Sequence, residues 1–150
     1  MRKNNKIQEL LIMVFEAEKK YYEAAEEVQI IALSRFLNYQ SLERKKYVNE
    51  LVEAFIFNNI KQETSCIDKS KEDQKGFEVK KPLEKSKYIS IVCHCLDFDQ
   101  NIIDKCVIML RDNTIPVDIL EVAVRLMTFL LFQGIECGQI IEELNIENNK

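Results

Sequence analysis

The chain has 150 residues, of which 47% are hydrophobic and 31% charged, so one compact domain over residues 1–150 is expected and disorder throughout is excluded. Three Gly and two Pro are too few for the turns of a sandwich or barrel or for a phosphate-cradling loop, which leaves an all-α protein as the expected fold class. The net charge of −4 is uneven: residues 1–58 balance nine Lys/Arg against nine Asp/Glu, 59–87 carry eight against six, and 88–150 carry four against ten. An acidic C-terminal half without clustered Lys/Arg argues against nucleic acid as a partner.

From Ile7 the apolar residues recur at Leu10, Leu11, Val14, Tyr21, Tyr22, Ala25 and Val28, the three-and-four spacing of an amphipathic helix, predicted over about 5–28. Glu9 and Glu16 interrupt this run before a signal-peptide core could form. The same spacing through Leu33, Phe36, Leu37, Tyr47, Val48, Leu51 and Phe55 predicts a second helix over about 32–57. No Gly or Pro separates the two. The break is placed at Gln29, Ile30 and Ile31, where β-branched side chains weaken helix propensity.

Residues 58–86 are rich in charge and poor in apolar side chains and are expected to form a long mobile linker. A third helix is predicted from about Lys87 to Arg111 through Val92, Leu96, Ile103, Cys106 and Leu110. The sequence DNTIP at 112–116 then stops one helix and starts another, because Asn and Thr suit a cap and Pro fits only a first helical turn. The fourth helix is predicted over about 117–144. Its apolar stretch from Val122 to Ile135 falls short of the roughly 20 residues of a membrane span. Two helical hairpins joined by a long charged linker make an antiparallel four-helix bundle. Five cysteines, an odd number in a chain with ample apolar content, are expected to be reduced thiols in a cytoplasm.

Two segments carry a resemblance. EAEKKYYEAAEEV at 16–28 and FLNYQSLERKKYVNEL at 36–51 are similar to a bacterial ferritin-like domain family of unknown function, in which Glu-Lys-x-Tyr-x-x-Ala-Ala-Glu precedes Glu-Arg-x-x-Phe-x-x-Glu-Leu at a similar distance. Tyr47 stands here where that pattern has Phe. The third helix and the 112–116 turn match its second hairpin more loosely. The resemblance implies a ferritin-like four-helix bundle without an assigned activity.

A ferritin-like di-iron centre needs an inward Glu from two helices and a Glu-x-x-His pair from each of the other two, since positions i and i+3 point into one metal volume. This chain has one histidine and no Glu-x-x-His, which excludes an intact centre of that kind. A partial set remains: Glu18 between Val14 and Tyr21, Glu43 between Gln40 and Tyr47, and Asp99 between Leu96 and Ile103. Three such carboxylates could hold a hard divalent cation. The expected alternative is a degenerate site, with Glu18 and Glu43 bonded to Tyr hydroxyls or paired with Arg44 or Lys across the bundle. Cys93, His94 and Cys95 diverge by about 100° per residue on a helix and cannot converge on one ion, whereas Cys95, Asp99 and Cys106 share a face.

The fourth helix is apolar on more than one face, and a homodimer interface is expected there, centred on Leu126, Phe129, Leu130 and Phe132. The functional expectation is a cytoplasmic, non-enzymatic interaction or stress-associated structural protein without a cofactor. The alternative is a carboxylate metal-binding or metal-dependent redox protein using Glu18, Glu43 and Asp99.

Overall fold

The computed structural model describes residues 2–62 and 85–148. They form four helices, α1 (Arg2–Glu27), α2 (Ile31–Phe57), α3 (Lys85–Leu110) and α4 (Val117–Asn148), with no strand among the described residues. Each helix lies where the three-and-four apolar spacing predicts one. No helix among the described residues is long and apolar enough to cross a membrane.

The break between α1 and α2 is made by three residues, Val28, Gln29 and Ile30. Ile30 adopts an extended conformation (φ −76°, ψ 114°) and provides no side-chain cap. Instead the Ser34 hydroxyl donates to the Ala25 carbonyl at 2.7 Å, satisfying one of the acceptors that a helix C-terminus exposes. Val28 and Leu33, on either side of the break, are both buried, so apolar burial holds the hairpin closed where no Gly or Pro marks it.

After α2 the chain stays attached for five residues. Ile60 donates its amide to the Phe55 carbonyl at 2.8 Å and packs on the core, and the Gln8 side-chain amide donates to the Lys61 carbonyl at 2.7 Å. The expected linker at 58–86 is therefore shortened at both ends, since 58–62 are tied to the bundle and 85–86 belong to α3. Its remainder, 63–84, lies outside the described residues. Between α3 and α4, Thr114 donates both its amide (2.9 Å) and its hydroxyl (2.5 Å) to Asp112 Oδ1. Pro116 stands immediately before α4, where its missing N–H costs no helical bond.

Backbone approaches define which helices are neighbours: α1 packs on α2 and α3, and α4 packs on α3 and α2. Among the described residues the diagonal pairs α1–α4 and α2–α3 keep their backbones apart and meet only through side chains, as Arg44 of α2 and Asp99 of α3 do. Direction follows from cross-helix bonds. Lys6 meets Asp112 and Tyr21 meets Asp99, so α1 and α3 run oppositely. Gln40 meets Gln133, Glu50 meets Arg125 and Asn58 meets Asp118, so α2 and α4 do too.

The core falls into two apolar clusters stacked along the helices. One joins Ile7–Ala17 of α1 to Val48–Phe55, Ile102–Met109 and Ile115–Leu130, and the other joins Tyr21–Val28 to Leu33, Leu37, Tyr88–Cys95, Cys137 and Leu144. The end of α2 belongs to the first cluster and the start of α3 to the second, so these two chain ends lie at opposite ends of the molecule.

Leu126 and Leu130, expected at a dimer interface, are fully buried in the chain's own core, and Phe129 packs against Tyr47 with ring centroids 5.6 Å apart. Of the four residues placed at that interface only Phe132 is exposed. The correction is a matter of phase, because the 122–130 stretch spends its apolar residues on α2 and α3 as well as on the core. The outward residues are Val124, Leu131, Phe132 and Ile135.

Candidate functional site

Between the two apolar clusters lies a polar layer to which all four helices contribute. The inward stripe of α2 runs Leu33, Leu37, Gln40, Arg44, Val48, Leu51 and Phe55, so a guanidinium occupies a position whose neighbours are all core residues. Arg44 is 0% exposed and Asp99, on α3, 2%. Arg44 Nε donates to Asp99 Oδ1 at 3.1 Å and Nη2 donates to Oδ2 at 2.6 Å, the two-pronged geometry in which planar guanidinium and carboxylate match.

The remaining groups complete the bonding. Tyr21 of α1 donates its hydroxyl to Asp99 Oδ2 at 2.5 Å, and its ring lies 3.8 Å beneath the Arg44 guanidinium carbon. Burial, reinforced by the adjacent Asp99 carboxylate and opposed by Arg44, pushes the Tyr21 phenol well above its ordinary range, so it is a donor at any physiological pH. Arg44 Nη1 donates to both the backbone carbonyl and the side-chain oxygen of Gln40, each at 2.9 Å. Gln40 in turn donates to Gln133 Oε1 of α4 at 2.5 Å. Every buried side-chain N or O atom among the described residues has a hydrogen-bond partner.

Such a layer can do one thing well. It fixes the relative heights of four helices, because sliding any of them by a turn would leave a charge or an amide buried without a partner, at a cost of several kcal/mol. Among the described residues its fully buried donors and acceptors are all engaged with one another. Three thiols flank it or sit in the core nearby: Cys95, Cys106 and Cys137 are buried, and burial pushes each up to about 12. At neutral pH they are protonated and behave as small hydrophobes.

The carboxylates singled out from sequence are distributed differently. Asp99 stands in the layer with both oxygens engaged by Arg44 and Tyr21. Glu43 is half-buried on the α4 side of α2 and pairs with Lys46 of its own helix at 2.8 Å. Glu18 is half-buried on α1, and its backbone carbonyl accepts from the Ser41 hydroxyl at 2.9 Å. Among the described residues no three His, Cys, Asp or Glu side chains are gathered so as to hold a metal ion. Cys93 and His94 are exposed while Cys95 is buried, the divergence that helical geometry requires. His94 lies edge-on to Phe98 at 5.3 Å, in a shallow groove between α1 and α3 with Lys20, Glu23, Glu27 and Ser90.

Arg44 is the residue that sequence reasoning missed as a centre, having treated it only as a partner for Glu18 or Glu43. The signal was available: Leu33, Leu37, Gln40, Val48, Leu51 and Phe55 place position 44 inward, and an Arg there must find a buried acid. Comparison with protein-family models, with curated proteins and with solved structures gives no match for this chain.

Proposed function

We propose that the protein is a ferritin-like four-helix bundle with an ion pair at its centre, acting as a non-enzymatic interaction or stress-associated structural protein in a bacterial cytoplasm. The observation that carries this reading is the double engagement of Asp99. A carboxylate at the middle of such a bundle would be a metal ligand, yet here Arg44 supplies the positive charge and Tyr21 the remaining donor. The order of the helices supports the ferritin-like assignment. Two antiparallel hairpins pack so that α2 and α3 lie diagonally, with the chain between them joining opposite ends, as in bundles with one long crossover. The 16–28 and 36–51 segments that resemble the family supply Tyr21, Gln40 and Arg44, three of the five side chains of the layer.

Elemental analysis of purified protein tests the reading. Iron, manganese and zinc are expected well below one atom per chain, because Asp99 cannot serve Arg44 and a metal together. Stoichiometric metal that is lost in Asp99→Asn would overturn it and make Glu18, Glu43 and Asp99 the ligand set of a metal-binding protein.

A further inference from the structure

The side of the molecule where α2 and α4 lie together carries apolar side chains that no described residue covers. Tyr39 on α2 and Phe132 and Ile135 on α4 are 51%, 64% and 64% exposed. All three sit level with the Gln40–Gln133 hydrogen bond, since Tyr39 precedes Gln40 and Phe132 precedes Gln133 on helices that run oppositely. By their positions next to Gln40 and Gln133, Tyr39 and Phe132 flank the seam between the two helices, and Ile135 follows one turn on from Phe132 along the outer side of α4.

Charge is divided across the same seam. Arg35 lies one turn from Tyr39 on α2, and Glu136 lies one turn from Phe132 on α4. Because the helices are antiparallel, both are displaced toward the same end of the molecule and stand at similar height. Both are exposed, and neither makes an ion pair among the described residues. The wider surroundings are mixed on α2, which exposes Glu53 beside Lys45 and Lys46, and more acidic on α4, which exposes Glu121, Glu142 and Glu143 against Arg125, so the complementarity rests on Arg35 and Glu136.

A face with complementary halves side by side is what a two-fold contact requires, because the same patch must match itself. A two-fold axis running along the seam carries α2 of one copy over α4 of the other at unchanged height. Tyr39 then meets Phe132 and Ile135, and Arg35 meets Glu136, each contact occurring twice. We propose that this face binds a second copy of the chain and that the protein is an isologous dimer through α2 and α4. The proposal rests on reading the protein as an interaction protein but not on its ion-pair centre, so a metal assay and a mass measurement fail independently.

Light scattering coupled to size exclusion tests it at tens of micromolar protein. The unaltered chain is expected at the mass of two chains. Phe132→Glu, a change at an exposed position, should raise the dissociation constant roughly a hundredfold and yield monomer with unchanged helical circular dichroism. Arg35→Glu should weaken the dimer, and Arg35→Glu combined with Glu136→Arg should restore it, a rescue that a merely structural role would not produce. Ile108→Glu, on the exposed side of α3, should leave the dimer mass unchanged. A monomeric unaltered protein, a dimer that survives Phe132→Glu, dissociation by Ile108→Glu, or a charge swap without rescue would each overturn the proposal.

Discussion

Arg44 and Glu43 are adjacent in the chain and have opposite fates, one fully buried and the other paired with Lys46 at the surface. On a helix that outcome is a rotation of about 100°, and it decides which side chain must be neutralised inside the molecule. The buried thiols illustrate a second residue-scale consequence. Cys95, Cys106 and Cys137 have pKa values pushed up to about 12 by burial, against about 8.5 for a thiol in an unfolded chain. Between these limits the unfolded state has lost protons that the folded state still holds, so stability falls as pH rises. Three thiols together give a slope of up to about 4 kcal/mol per pH unit above pH 9. Urea melts of the unaltered protein should show this loss between about pH 9 and 12, and a Cys95→Ala, Cys106→Ala, Cys137→Ala variant should lose much less over the same range. A flat alkaline limb in the unaltered protein would contradict the burial of these thiols. Under native conditions at pH 8, in a chain with Cys66→Ser, an aromatic disulfide reagent should modify Cys93 first and the three buried thiols only on unfolding.

At the scale of elements, helix ends are fixed by particular bonds. Asp112 accepts from the Thr114 hydroxyl and amide and from Lys6 on α1, and these contacts, led by the Thr114 hydroxyl, hold its carboxyl well below the usual range. A depressed folded pKa contributes stability that is present above the unfolded value near 4 and is lost as pH falls below it. Thermal melts between pH 5 and 2 should therefore show an acid-side loss that is smaller in Asp112→Asn. An identical acid limb in the two proteins would show that the turn does not couple α1 to the second hairpin. The break at 28–30 works by a different principle. Apolar burial of Val28 and Leu33 with the Ser34 hydroxyl on the Ala25 carbonyl closes it, and propensity contributes little.

For the whole molecule, the decisive feature is a satisfied polar layer between two apolar clusters. Removing one member of the pair strands the other, so Asp99→Asn or Arg44→Met alone should cost about 3–5 kcal/mol in denaturant melts. Replacing both, Arg44→Met with Asp99→Leu, should recover most of that loss or exceed the starting stability, since an apolar contact avoids the desolvation cost. The layer also fixes helix heights, and the double variant should lose uniqueness: doubled or broadened amide signals at Tyr21, Gln40 and Gln133 are expected in its NMR spectrum. Sharp single signals would assign the layer no part in setting the helix register.

The sequence by itself determined four helices, their approximate limits, the break near residue 29, the stop and restart at 112–116 and most of the inward face of α1. These follow from local spacing, because three-and-four periodicity and capping chemistry act within a few residues of chain. The face read for α3 through Leu96, Ile103 and Leu110, by contrast, is turned in the structure so that Cys95, Ile102 and Met109 are buried and Leu110 is exposed. The sequence also contained the inward stripe of α2, in which Arg44 is as legible as Leu37 or Leu51. Only the tertiary structure decided that Arg44 meets Asp99 rather than a glutamate, and that Tyr21, Gln40 and Gln133 close the network. It alone showed that Leu126 and Leu130 face the chain's own core while Phe132 and Ile135 face outward. Periodicity gives each helix a stripe, but a stripe as broad as that of α4 has no unique centre. Its phase is fixed only by packing against two neighbours far away in sequence, whose positions no local pattern encodes.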